Sequence, residues 1–192
     1  MKCANILLEK RNMKTLNSID EYHKVFGFPI KEYYRRLGFD FEKEPYEDLA
    51  NEWAKYYDRF SADCMLCDGV YETVSNISGL GIKQVVISMQ EICRLNLFLE
   101  RFGIRKYFDE VIGLDNIYAE TKINIAKKWL EHRGCEYNII SVGDTEHDFY
   151  MAKELGIDCI LVCGGHQAKE TLLKCGGVVI DNISDLIKRD II

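Results

Sequence analysis

Hydrophobic positions recur along this chain with two rhythms, and the rhythm changes near residue 65. Between residues 18 and 59 apolar side chains return every three to four positions, as in Tyr22, Val25 and Phe26 and then Tyr33, Tyr34 and Leu37, among many Glu and Lys. One face of a 3.6-residue helix has that spacing, so this stretch is expected to be wholly helical, punctuated by Gly27-Phe28-Pro29. Beyond residue 65, short apolar runs at 84–88, 110–113, 138–142, 159–162 and 178–180 alternate with helical stretches at 91–102, 122–132, 146–155, 167–174 and 183–188. Repeated strand–helix units predict an α/β fold: a parallel sheet with helices on both faces, preceded by a small all-helical lobe.

In such sheets ligands bind in the crevice beyond the carboxyl ends of the strands. The residues placed there are Ser88, Asp115 and Asn116, Asp144, and Gly164-Gly165-His166. The most informative stretch is Gly143-Asp144-Thr145-Glu146-His147-Asp148, where an apolar run stops at Gly-Asp and a helical segment follows. Asp144 then stands on the turn and Asp148 one helical turn later, so both carboxylates can face one point. Two hard oxygen donors beside a helix N-terminus suit Mg²⁺ and a phosphate group. The Ser88 hydroxyl and the Met89 amide can both donate to a phosphate oxygen; a plain N-cap serine is the competing reading. Lys122 opens a helix, where a lysine opposes the helix dipole; anchoring phosphate is a reason to be there, and an ordinary surface lysine is the alternative.

Composition removes several classes. The 192 residues are 47% hydrophobic and 29% charged with a net charge of -6, which argues against nucleic-acid binding because that requires clustered Lys and Arg. No eighteen-residue apolar run suggests a membrane span, and the start lacks the apolar stretch of a secretory signal. A cytoplasmic protein, monomeric or homodimeric, is the expectation. The eight cysteines then read as reduced thiols. Cys64-Met65-Leu66-Cys67 has the CxxC spacing without a second such pair or a His pair at zinc-site distance. Gly79-Leu80-Gly81 precedes its strand, so no dinucleotide-binding loop is present.

Taken together, Ser88, Lys122 and Gly143 to Asp148 resemble, in order and surroundings, the second, third and fourth motifs of the haloacid dehalogenase-like phosphohydrolases. The segment from Tyr22 to Tyr34 resembles the helical cap of the phosphoglycolate phosphatase and β-phosphoglucomutase branch, and Met151 to Ile157 is similar to that branch's helix and turn after the acidic motif. The resemblance implies a cap at 13–65, an α/β core at 66–192, and a remnant of the first core helix or a hinge at 1–12. It also implies a Mg²⁺-dependent phosphatase acting on a small-molecule phosphate ester through an aspartyl phosphate. Ser88 and the Met89 amide would hold the phosphoryl group, Lys122 would neutralise charge, and Asp144 and Asp148 would hold the metal. Arg35, Arg36, Tyr33 and Tyr34 are candidates for substrate selection, although surface and core are their ordinary places. His147 either meets substrate or only begins a helix.

The family's nucleophile belongs to a first motif, Asp-x-Asp-Gly-Thr or Val, at the end of the first strand and ahead of the cap; no such motif precedes the cap-like segment here. The first core strand, which lies mid-sheet in the resembling fold, is therefore expected to be missing, as in an N-terminally shortened member. Leu66-Cys67-Asp68-Gly69-Val70 imitates the motif with leucine at the nucleophile position, and an apolar side chain cannot attack phosphorus. Asp68 is assigned to a turn, where Asp-Gly is favoured for backbone reasons. Two functions follow: a phosphatase, or a catalytically inactive phosphate- and Mg²⁺-binding or regulatory protein.

Overall fold

The computed structural model describes residues 1–114, 122–133, 138–189 and 191. Asp115, Asn116 and the loop leading to Lys122 lie outside them. The chain divides into two compact units.

The first unit comprises Met1–Met65 together with Gly165–Ala168. It holds α1 (Lys2–Lys10), α2 (Ile19–Val25), α3 (Ile30–Arg36) and α4 (Tyr46–Ser61). Local chemistry starts α2 where it does: the Ser18 hydroxyl accepts from the Glu21 N–H at 3.2 Å, and Glu21 Oε2 accepts from the Asn17 N–H at 2.8 Å. The three-to-four spacing is borne out in the core, where Tyr22, Tyr33 and Tyr34 join Leu7, Leu8, Phe39 and Leu49. Residues 1–12, expected as a core-helix remnant or hinge, are counted in this unit, because Leu7 and Leu8 are fully buried in that core. Arg11 fixes α1 further by pairing with both Glu44 and Glu52. Within the same unit His166 stacks on Phe26, ring centroids 4.7 Å apart, and its Nδ1 lies 2.7 Å from the Tyr22 hydroxyl.

The second unit comprises Leu66–Gly164 and Lys169–Ile192. Its elements run α5 (Val70–Gly79), β1 (Val85–Glu91), α6 (Ile92–Arg101), β2 (Glu110–Leu114), α7 (Lys122–Arg133), β3 (Ile140–Gly143), α8 (Glu146–Leu155), β4 (Asp158–Val162), α9 (Lys169–Lys174), β5 (Val178–Ile180) and α10 (Asp185–Lys188). All strand pairs are parallel, as the alternating pattern predicts. Among the described residues, however, they form two sheets, β1–β2 and β3–β4–β5. Ile77, Ile160, Ile180 and Leu186 make one core cluster and Val74, Leu95, Leu99 and Ile104 another. Helix α7 touches both β1 and α8, and its Trp129 Nε1 donates to Glu110 Oε2 on β2 at 3.1 Å.

One boundary differs from expectation. β1 runs through Ser88 to Glu91, with a register shift against β2 between Ile87 and Glu91. Glu91 caps α6 by accepting from the Cys93 and Arg94 N–H groups at 3.0 and 3.1 Å, so the helix begins after it. Gly113 faces this irregular stretch: a Cβ there would stand 2.7 Å from the Gln90 carbonyl oxygen. Asp68 lies in a turn, as expected, followed by Gly69 at φ +81, and its carbonyl accepts from Asn182 Nδ2 at 3.3 Å. Among the described residues no helix is long and apolar enough to cross a membrane.

Candidate functional site

The site is organised by the turn from β3 into α8. Thr145, in extended backbone, is the N-cap of α8, and Asp148 is the third helical residue. The two form a capping box, each side chain serving the other's backbone N–H. Asp148 Oδ2 accepts from the Thr145 hydroxyl at 2.7 Å, the Thr145 N–H at 3.1 Å and the Asp144 N–H at 3.2 Å. Its other oxygen, Oδ1, accepts from Lys122 Nζ at 2.5 Å. Gly143 makes room for this fold-back, since a Cβ on it would overlap the Cβ and Cγ of Asp148.

Asp148 is only 3% exposed. Burial alone would push its carboxyl up, but the Lys122 charge and the hydrogen bonds from Lys122 and Thr145 prevail and hold it below the usual carboxylate range. It is thus a charged group anchored inside the protein. His147, beside it, is pushed down by burial, against the opposing pull of Asp148 and Glu146. On the neighbouring strand Cys159, paired in register with Ser141, has its thiol pushed up to about 11 by burial and then by the Asp148 charge. A thiol so placed is a poor nucleophile at neutral pH.

Three of the expected site residues therefore meet: Lys122 and Asp148 through their side chains, and Asp144 through its backbone N–H. Ser88 and Met89 lie on β1, which α7, the helix that opens with Lys122, also touches. The Ser88 hydroxyl accepts from the Gln90 N–H at 3.1 Å in the register-shifted stretch. Its competing reading as an N-cap is corrected, because Glu91 holds that position. Arg35 pairs with Glu32 on its own helix, whereas Arg36 folds back so that its Nε donates to the Val25 carbonyl at 2.6 Å. Thr145 went unassigned in the sequence reading although the signal is there: Thr-x-x-Asp at a strand-to-helix change is a capping-box pattern.

The donor chemistry fits Mg²⁺. Among the described residues no group of three or more His, Cys, Asp or Glu is arranged to hold a metal. Mg²⁺ is the cation least in need of such a cage, since one or two carboxylates, waters and substrate phosphates suffice.

Comparisons with known proteins identify relatives of the chain. The chain is 27% identical over 151 residues to a phosphoglycolate phosphatase of Vibrio parahaemolyticus, covering 74% of this chain and 66% of the relative. It is 26% identical over 163 residues to a phosphoglycolate phosphatase of Photobacterium profundum, covering 80% and 71%. The chain spans between 53% and 71% of the length of the phosphatases it matches in this way. In fold it is similar to a haloacid dehalogenase-like family hydrolase of Streptococcus pneumoniae, with a TM-score of 0.83 at 14% identity over 98% of this chain and 89% of that one. A profile of the haloacid dehalogenase-like hydrolases matches residues 1–162, and the chain belongs to that family.

Proposed function

We propose that this chain carries the machinery of a Mg²⁺-dependent phosphatase for small organic phosphate esters, of the phosphoglycolate phosphatase type. The observation that carries the reading is the Lys122–Asp148 ion pair seated on the Thr145 cap. A buried, fully hydrogen-bonded carboxylate holds a lysine ammonium at the strand-end turn, and a fixed cation there stabilises the charge of a transferring phosphoryl group. Both oxygens of Asp148 are engaged by donors, so Asp144 would be the more available metal ligand, and Asp148 would act chiefly by positioning Lys122 and the turn. Bound Mg²⁺ would supply charge neutralisation and orientation of the phosphate oxygens. Ser88 Oγ and the Met89 N–H would donate to those oxygens. The helical unit is read as the cap at 13–65 and the α/β unit as the core at 66–192; the protein works in the cytoplasm as a monomer or homodimer.

A second reading is favoured by one observation. The 192 residues contain no Asp-x-Asp-Gly-Thr or Val segment to supply the aspartate that receives the phosphoryl group. A chain of this kind binds phosphate and Mg²⁺ without turnover, as a binder or regulator. Incubating the purified chain with Mg²⁺ and p-nitrophenyl phosphate separates the two. Turnover that Asp144→Asn abolishes supports the hydrolase. No turnover, with Mg²⁺-dependent thermal stabilisation by inorganic phosphate, supports the binder. Neither turnover nor stabilisation would sink both.

A further inference from the structure

Helices α1 and α4 pack antiparallel. Lys10, at the end of α1, lies 5.1 Å from the Tyr56 ring centroid and pairs with Glu52, whereas Lys2, at its start, lies 5.9 Å from that of Phe60. Moving back along α1 therefore moves forward along α4. Leu49, Trp53 and Tyr56 face the core shared with Leu7 and Leu8, and with Phe60 they form a stripe at helical spacing. The next position of that stripe is Cys64. Although α4 ends at Ser61, the chain keeps winding: the Asp63 N–H donates to the Phe60 carbonyl at 3.2 Å and the Cys64 N–H to the Ser61 carbonyl at 3.2 Å. Cys64 Sγ returns to the Phe60 carbonyl at 3.6 Å, keeping the thiol on the Phe60 side. At this same end, on the first turn of α1, stands Cys3.

We propose that Cys3 and Cys64 form a redox-responsive pair that closes to a disulfide on exposure to a low-molecular-weight disulfide, stapling the start of α1 to the end of α4. Both are thiols in the structure, Cys64 exposed and Cys3 half-buried. Burial pushes the Cys3 thiol up, and a charge on Cys64 pushes it the same way. Exposure makes Cys64 the attacking group. Its thiolate displaces one thiolate from the small disulfide and leaves a mixed disulfide on Cys64. The Cys3 thiolate then attacks that Cys64 sulfur and displaces the second small thiolate. Two protein thiols are oxidised, one small disulfide is reduced to two thiols, and the two cysteine protons pass to solvent or to the departing thiolates. The closed loop of roughly 60 residues would restrict the unfolded chain strongly.

The competing partner is Cys67, three residues from Cys64 and also exposed. Treating the full chain with oxidised glutathione and mapping peptides without reduction decides between them. The expected result is a Cys3–Cys64 cross-linked peptide in the native sequence and in Cys67→Ser, absent in Cys64→Ser. It should come with a rise of about 5 °C or more in thermal midpoint that dithiothreitol reverses. A Cys64–Cys67 peptide in the native chain, or only glutathione adducts at saturating oxidant, would overturn the proposal.

Discussion

Replacing Asp148 with asparagine keeps the size of the side chain and an oxygen that can still accept from Thr145, while removing the charge that Lys122 faces. Losing one partner of a buried ion pair costs about 3–5 kcal/mol when the other is stranded away from water. The Lys122 side chain is 20% exposed and can recover some hydration, so Asp148→Asn is expected to cost less, roughly 2–3 kcal/mol. Lys122→Met is the harsher change, because it leaves a carboxylate whose side chain is only 5% exposed without its cation; it should approach the full range of about 3–5 kcal/mol. The double variant holds neither charge. Its cost should fall short of the sum by about 2 kcal/mol, well outside the roughly 0.3–0.5 kcal/mol within which independent sites add. Urea unfolding followed by Trp129 fluorescence in a Trp53→Phe background reads this out, since Trp129 sits on the helix that carries Lys122. Additivity within about 0.5 kcal/mol would refute the claim that the pair is one energetic unit.

The same pair has a pH signature. A carboxyl held below its ordinary value in the folded state binds its proton less readily than in the unfolded chain. Its stabilising contribution is therefore complete above the unfolded value, near 4, and is lost as pH falls through the folded value. The stability gap between the native chain and Asp148→Asn should be constant from about pH 7 to 5 and shrink below about pH 4. A gap that survives undiminished at lower pH, for as long as the chain remains folded, would contradict the assignment.

Other substitutions probe the same turn and its surroundings. Thr145→Val removes the cap hydroxyl and the shortest of the three donors to Asp148 Oδ2, leaving its two backbone N–H donors, so the urea midpoint should fall by the equivalent of roughly 0.5–2 kcal/mol, with Thr145→Ser largely sparing it. Gly143→Ala drives a methyl into Asp148 and should cost at least about 2 kcal/mol by the same measure, together with any turnover the chain has. Gly79→Ala, at the end of α5 where a Cβ meets nothing within 4 Å, should instead raise stability by roughly 0.5–1 kcal/mol. A fall in midpoint there would contradict the helical, open setting assigned to Gly79.

What could be read from the sequence, and what could not, divides along the range of the interaction. The β3–α8 turn was legible because its determinants are neighbours: an apolar run that stops at Gly143-Asp144 and a second acid one helical turn on, although the Thr145 capping box between them went unassigned. The end of β1 was not, because residue patterning treats Glu91 as an ordinary helix former, whereas its carboxylate caps the backbone and delays the helix. Helix α1 shows the limit for packing. Leu7 and Leu8 announce a buried face, but only the fold reveals that the face belongs with Leu49 and the tyrosines of the helical unit.

The acidic pair shows the limit for chemistry. Spacing of four residues makes Asp144 and Asp148 equivalent, two carboxylates able to face one cation. Hydrogen bonding makes them unequal: Asp148 engages both oxygens with Lys122 and the turn, and could reach a metal only through the lone pairs those donors leave open. The division of labour proposed for them follows from that difference. Asp144 and Asp148 substitutions should accordingly separate, with Asp144→Asn weakening the Mg²⁺ dependence of phosphate binding and Asp148→Asn moving the urea midpoint by the larger amount. Equal effects of the two substitutions on both measurements would restore the symmetrical two-ligand site that spacing alone suggests.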